Sequence, residues 1–167
     1  MPVENRKSTQ ITNADATPPV LNNSAVARGV PFVACATIEV AAADDDTSIY
    51  RLIRVPSNAV MQSLVLFNDA ITAGTSYDFG LLQTAANGGG ATGADIDVFA
   101  TAVDLSSART TGTEILFEAL NIDQMGRRVW EILGLSSDPG REYDLVASAN
   151  TVGTAAGTIT IRAMWTA

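Results

Sequence analysis

The chain contains no histidine. That removes the commonest general base, the commonest metal ligand and the standard serine triad. It has a single cysteine, Cys35, so no disulfide can form within it and the fold does not depend on an oxidising compartment. Lys7 is its only lysine. The remaining basic residues are arginines, and ten basic residues stand against eighteen acidic ones, for a net charge of −8. No basic stripe is present to displace counterions from phosphates, which argues against nucleic acid as a partner. An acidic membrane surface would repel the chain, and no run approaches the roughly 20 apolar residues of a spanning helix. The first residues, MPVENRKSTQITNADATPP, lack the apolar segment of a signal peptide. The expectation is synthesis in the cytosol and residence there until assembly.

What is present suits a folded β protein. Hydrophobic residues make up 47% of the 167 positions and charged residues 17%, the reverse of a disordered composition. The apolar fraction is small in volume, with 26 Ala beside 18 Thr and 13 Gly. Such a mixture fits thin, closely approaching β layers with many turns better than a deep catalytic cleft. The length suits one domain with one core.

Residues 1–30 read differently from the rest. They hold Pro2, Pro18 and Pro19, with Pro31 just beyond, out of six prolines in the chain, and they contain no aromatic residue. Neither a helical nor a strand period is sustained, so an extended N-terminal arm is expected, ordered only where something holds it. Its scattered apolar residues Val3, Ile11, Val20, Leu21 and Val26 are candidate anchors in a partner's groove.

From Pro31 to residue 167 the pattern is of strands. PFVACATIEV ends at Asp44-Asp45-Asp46, and its Cys35 reads as an inert buried thiol. SIYRLIRV places Ile49, Arg51, Ile53 and Val55 on one face and Tyr50, Leu52 and Arg54 on the other. AVMQSLVLF and TSYDFGLLQT follow, the latter with Tyr77, Phe79 and Leu81 on one face. DIDVFATAVDL reads as an irregular strand or a helical turn, and TEILFEAL as a strand. In NIDQMGRRVWEILG, the residues Ile122, Met125, Val129, Trp130 and Leu133 fall at helical spacing, with Asn121 as N-cap and Gly134 as stop. One short amphipathic helix is therefore expected, with Trp130 in the core. EYDLVASANTV and GTITIRAMW close the chain as a hairpin. TSYDFGLL and REYDLVAS echo one another, as equivalent strands in two sheets would. Seven or eight short strands with one helix predict an all-β antiparallel sandwich or jelly roll over 31–167.

The chemistry-bearing motifs are weak. Asp95 and Asp97 are the best carboxylate pair for glycoside hydrolysis, but sugar cleavage wants aromatic platforms and both tryptophans lie in apolar patterns. Asp44, Asp45, Asp46 and Asp69 supply hard oxygen ligands without the spacing of a calcium loop. NGGGATG, residues 87–93, lacks the Lys and the helix of a phosphate-binding loop and reads as a plain loop. No catalytic residue, cofactor or metal site is expected, and the chain reads as a protein that acts by covering other protein surfaces. The alternative is a tail or fibre module that binds host glycans through its loops.

The order of segments carries a resemblance. KSTQITNADATPPVLN, the RVPSNA turn, ADIDVFATAVDLS, and GRRVWEILGLSSDPGREYDLVASANTVGTAAGTITIRAMW together resemble a family of small virion proteins of tailed phages and prophages. These are head decoration or structural proteins encoded near the major capsid protein. The resemblance implies a cement role on the outer capsid surface, with the major capsid protein and copies of the chain itself as partners, often as trimers at three-fold positions. It places the arm across a neighbouring subunit, with Arg6 and Lys7 meeting acidic groups there and Ile11, Val20 and Leu21 as anchors.

Overall fold

Successive strands alternate between two layers except the fourth and fifth, which pair within one sheet. The computed structural model describes residues 7–21, 29–87 and 94–167. Eight strands follow a short helix α1 (Thr9–Asp15): β1 (Pro31–Val40), β2 (Ile49–Pro56), β3 (Val60–Asn68), β4 (Ser76–Gln83), β5 (Asp95–Val103), β6 (Thr113–Glu114), β7 (Glu142–Thr151) and β8 (Gly157–Thr166). One sheet has the order β1-β8-β3-β6 and the other β2-β7-β4-β5, with every pairing antiparallel. Two four-stranded sheets traversed in this order form a jelly roll, which resolves the two architectures the sequence left open.

The inner faces supply the core. Tyr77, Phe79, Leu81, Leu145 and Ala147 come from one sheet and Leu64, Leu66, Ile159, Ile161 and Ala163 from the other, all fully buried. The alternation that buries them is the strand period of two.

Three features differ from the sequence reading because the period is broken. In β2 the register with β7 shifts between Arg51 and Ile53. The extra residue, Leu52, reverses the phase, so Tyr50, Ile53 and Val55 are buried while Arg51 and Arg54 share the outer face. In the 121–134 segment the expected helix is broken. A 3₁₀ turn spans Ile122–Gln124 and a four-residue helix α2 spans Val129–Ile132, separated by Gly126 at φ 77°. Only Val129 of the apolar series is fully buried. Trp130 is half-buried, and Ile122 and Met125 face outward. TEILFEAL contributes only Thr113–Glu114 as strand, and the rest turns across the sandwich side with Ile115, Leu116 and Leu120 buried.

Further corrections concern topology. β7 and β8 lie in different sheets and are not a hairpin. The two Tyr-Asp segments are neighbours in the same sheet, β4 and β7, paired Phe79 to Ala147 and Leu81 to Leu145. Cys35 is exposed, because it sits on the outer face of β1. DIDVFATAVDL is a strand, β5. The arm is not wholly extended: Ser8 caps α1, its hydroxyl accepting from the Ile11 amide at 3.3 Å.

β4 is buried on both faces. Between Phe79 and Leu81 its partner β5 runs from Ala100 to Asp95, a long bulge that folds back over the outer face. A Cβ at Gly80 would collide with the backbone of Asp95–Asp97, so this crossing needs glycine.

Candidate interaction surface

The strand registers define two ends of the sandwich. Pro31, Thr166 and Val60 lie together in one sheet, and Pro56, Glu142, Gln83 and Tyr143 lie at the matching end of the other. The short link from Pro56 to Val60 joins them. At this near end the Val129 amide donates to the Ala59 carbonyl and Arg128 bridges to Val60, which fixes α2 and the turn before it. The far end holds the connections 41–48, 69–75, 104–112 and 152–156.

Several exposed apolar side chains lie toward the near end, and Ile49 is exposed at the far one. Val30, Phe32 and Val33 open β1, and Phe32 stacks on Trp165 with centroids 6.0 Å apart while remaining 48% exposed. The 3₁₀ turn presents Ile122, 81% exposed, and Met125. That turn is held by a reciprocal cap, in which the Asp123 amide donates to Asn121 Oδ1 and the Asn121 amide donates to Gln124 Oε1. The apolar pair therefore stands outward on a fixed support. Sequence reasoning placed these two residues on the apolar stripe of an amphipathic helix because their spacing fits one. Gly126 was the signal against it.

The arm enters β1 at the same end. Ile11, Val20 and Leu21 are all exposed, Leu21 at 95%. Lys7 donates to Asp15 Oδ2 at 2.6 Å, across α1. Arg6, Val3 and Val26 lie outside the described residues.

The far end is acidic. Asp45, Asp46, Asp69 and Asp104 are exposed and Asp44 is half-exposed, with Arg109 as the basic group among them. The carboxylates of Asp44, Asp46 and Asp104 are used as caps. Asp44 accepts from the Ala41 amide at 2.9 Å and from the Tyr50 hydroxyl at 2.8 Å; the amide above all, then the hydroxyl, hold its carboxyl below the usual range. Burial, and then the hydrogen bond to Asp44, push the Tyr50 hydroxyl well up. Asp46 accepts from the Val152 amide at 2.9 Å. Among the described residues no group of three or more Cys, Asp or Glu is arranged to hold a metal ion.

The other sequence candidates are accounted for locally. The Asp97 amide lies 3.4 Å from Asp95 Oδ1, and the neighbouring Asp97 side chain raises the Asp95 carboxyl above its usual value. The pair turns the chain into β5 beside residues 88–93, the greater part of the glycine-rich loop, which lie outside the described residues. Trp165 is buried, and neither it nor half-buried Trp130 forms the open aromatic platform that a glycan site uses.

Fold and surface together define a jelly-roll sandwich with the arm entering beside exposed Phe32 and Val33 at one end and a cluster of aspartates at the other. No family model matches the chain, and no curated protein does. Solved structures share its fold. A chain of the capsid of Ralstonia phage GP4 is 16% identical, with 83% of this chain and 84% of that one covered and a TM-score of 0.56. A chain of the cyanophage Pam1 capsid asymmetric unit is 14% identical, with 99% of each covered and a TM-score of 0.52. At these identities the likeness is one of fold.

Proposed function

We propose that this is a structural protein of a tailed-phage head that decorates and stabilises the capsid by binding the major capsid protein lattice. The observation that carries the reading is the set of large apolar groups left exposed on the sandwich and on the arm. Phe32 and Val33 at the start of β1, Ile122 and Met125 on the capped turn, and Ile11, Val20 and Leu21 on the arm are all exposed. Apolar surface of this kind is covered in use. The shared fold with chains of two phage capsid structures supports the setting, and the segment resemblance supports the decorating role.

In this reading the protein is not an enzyme and acts from the virion surface. Each copy contributes a modest interface, and the repeating shell multiplies it. The arm lies on a neighbouring shell subunit, with Arg6, Lys7, Val20 and Leu21 in contact with it. Copies associate with one another, as trimers at three-fold positions.

The test is co-sedimentation of the purified protein with undecorated shells of the same phage, before and after expansion. Binding to expanded shells is expected. Deleting residues 1–30 should leave a folded domain, checked by circular dichroism, that binds more weakly. Failure to sediment with shells in any maturation state ends the reading.

A further inference from the structure

The sandwich has four sheet edges, and three of them are protected. β2 carries a bulge, two arginines and Pro56. β5 is irregular at two places and opens with Asp95 and Asp97. β6 is only two residues long, and its Glu114 side chain occupies the Leu64 and Leu116 amides. These are the usual devices that stop an edge from pairing.

β1 has none of them along its length. It is ten residues long and pairs with β8 from end to end without a register shift. Its proline is the first residue and its one charge, Glu39, is next to last. Among the described residues, no side chain or loop hydrogen-bonds to the main chain of residues 31–40 from outside the sheet. A ten-residue edge with an unbroken register and a single charge near its end forms a template for another strand.

The sequence of this edge says which strand fits. Around Cys35 the run Val30–Val40 has a mirror character. Ala34 answers to Ala36, Val33 to Thr37, Phe32 to Ile38, and Val30 to Val40. An antiparallel pair related by a two-fold axis brings those positions opposite each other. β-Branched residues would face one another on the outer side, with Cys35 on the axis. On the inner side alanines would meet at the centre and large apolar groups at the ends. Glu39 would face Pro31, so no charge opposes a like charge. Phe32 and Val30, exposed in the single chain, would be covered by the second copy's Ile38 and Val40. A two-fold contact needs a self-complementary patch of this kind.

We propose that the free edge of β1 pairs antiparallel with β1 of a second copy, in the register centred on Cys35, joining two sheets into one of eight strands. This rests on the self-association in the function proposed above, and it specifies a two-fold contact that is separate from any three-fold one. On a shell such a contact links neighbouring copies across a local two-fold axis.

The test uses the full chain in solution and no shells, so it is independent of head binding. Sedimentation and native mass spectrometry should show species with an even number of chains, two or, where a three-fold contact also forms, six. Val33→Lys with Thr37→Lys sets lysine opposite lysine at two symmetric places and should weaken pairing about tenfold or more. Val33→Glu with Thr37→Lys sets opposite charges there and should restore it. Both side chains are exposed, and circular dichroism checks that each variant folds. Only monomers or odd-numbered species, or equal weakening by both double substitutions, would overturn the proposal.

Discussion

Arg51 and Arg54 reach the same carboxylate because β2 carries one residue more than its partner at Leu52. Arg51 Nη1 donates to Asp144 Oδ2 at 2.7 Å and Arg54 Nε to Oδ1 at 2.8 Å, on a side chain that is itself buried. Burial works to raise the Asp144 carboxyl, and the two guanidiniums outweigh it and hold it below its usual value. A depressed folded value means that this stabilisation is present above the unfolded value near ~3.9 and is lost as pH falls through the folded one. Asp44, Asp104 and Asp138 are shifted the same way, each first by a hydrogen bond to its carboxylate. Asp95, shifted upward, works in the opposite direction. Thermal melts should therefore be level from about pH 7 to 5 and fall steeply below about pH 4. Replacing Arg51 and Arg54 together by Ala strands the Asp144 charge. That should cost about 2 kcal/mol at neutral pH and flatten the acid decline, since Asp144 would no longer titrate low.

At the scale of the element, β4 shows what one absent side chain permits. The β5 bulge lies directly on Gly80, and Asp78 beside it accepts from the Ala102 amide at 2.7 Å and from Asn150 Nδ2 at 2.8 Å. Ala102 sits at φ 53°, a left-handed conformation pinned by that carboxylate. Gly80→Ala should lift β5 off the sheet and destabilise the fold by about 3 kcal/mol, read by denaturant unfolding. Elements with a nearly unbroken period of two, such as β8, were legible in the sequence. The strand count and the all-β class followed from them. Bulges at Leu52 and across 96–99 were not legible, because an extra residue leaves no mark in composition. The helix over 121–134 was misread because Ile122 and Met125 carry helical spacing for a different purpose, outward display. The arm residues Ile11, Val20 and Leu21 were recognisable as candidates from their apolar character in a polar stretch, whereas the free edge of β1 depends on which strands it pairs with.

At the scale of the whole molecule, the arm enters β1 at one end, where Phe32 and Val33 are exposed, and a cluster of aspartates stands at the other. Each end should respond differently to substitution. Ile122→Glu with Met125→Glu should leave stability within about 0.5 kcal/mol, since both side chains are exposed, and should weaken shell binding in co-sedimentation. Asp45→Asn with Asp46→Asn at the far end should leave shell binding unchanged. Equal effects at both ends would mean that the molecule does not dock end-on. The pairing of Pro31 with Thr166 adds an engineering consequence. A passenger peptide fused after Ala167 would emerge beside the arm, in the space where the docking partner is expected. The same cargo spliced into the connection between Asp104 and Thr113 would project from the opposite pole, clear of that partner.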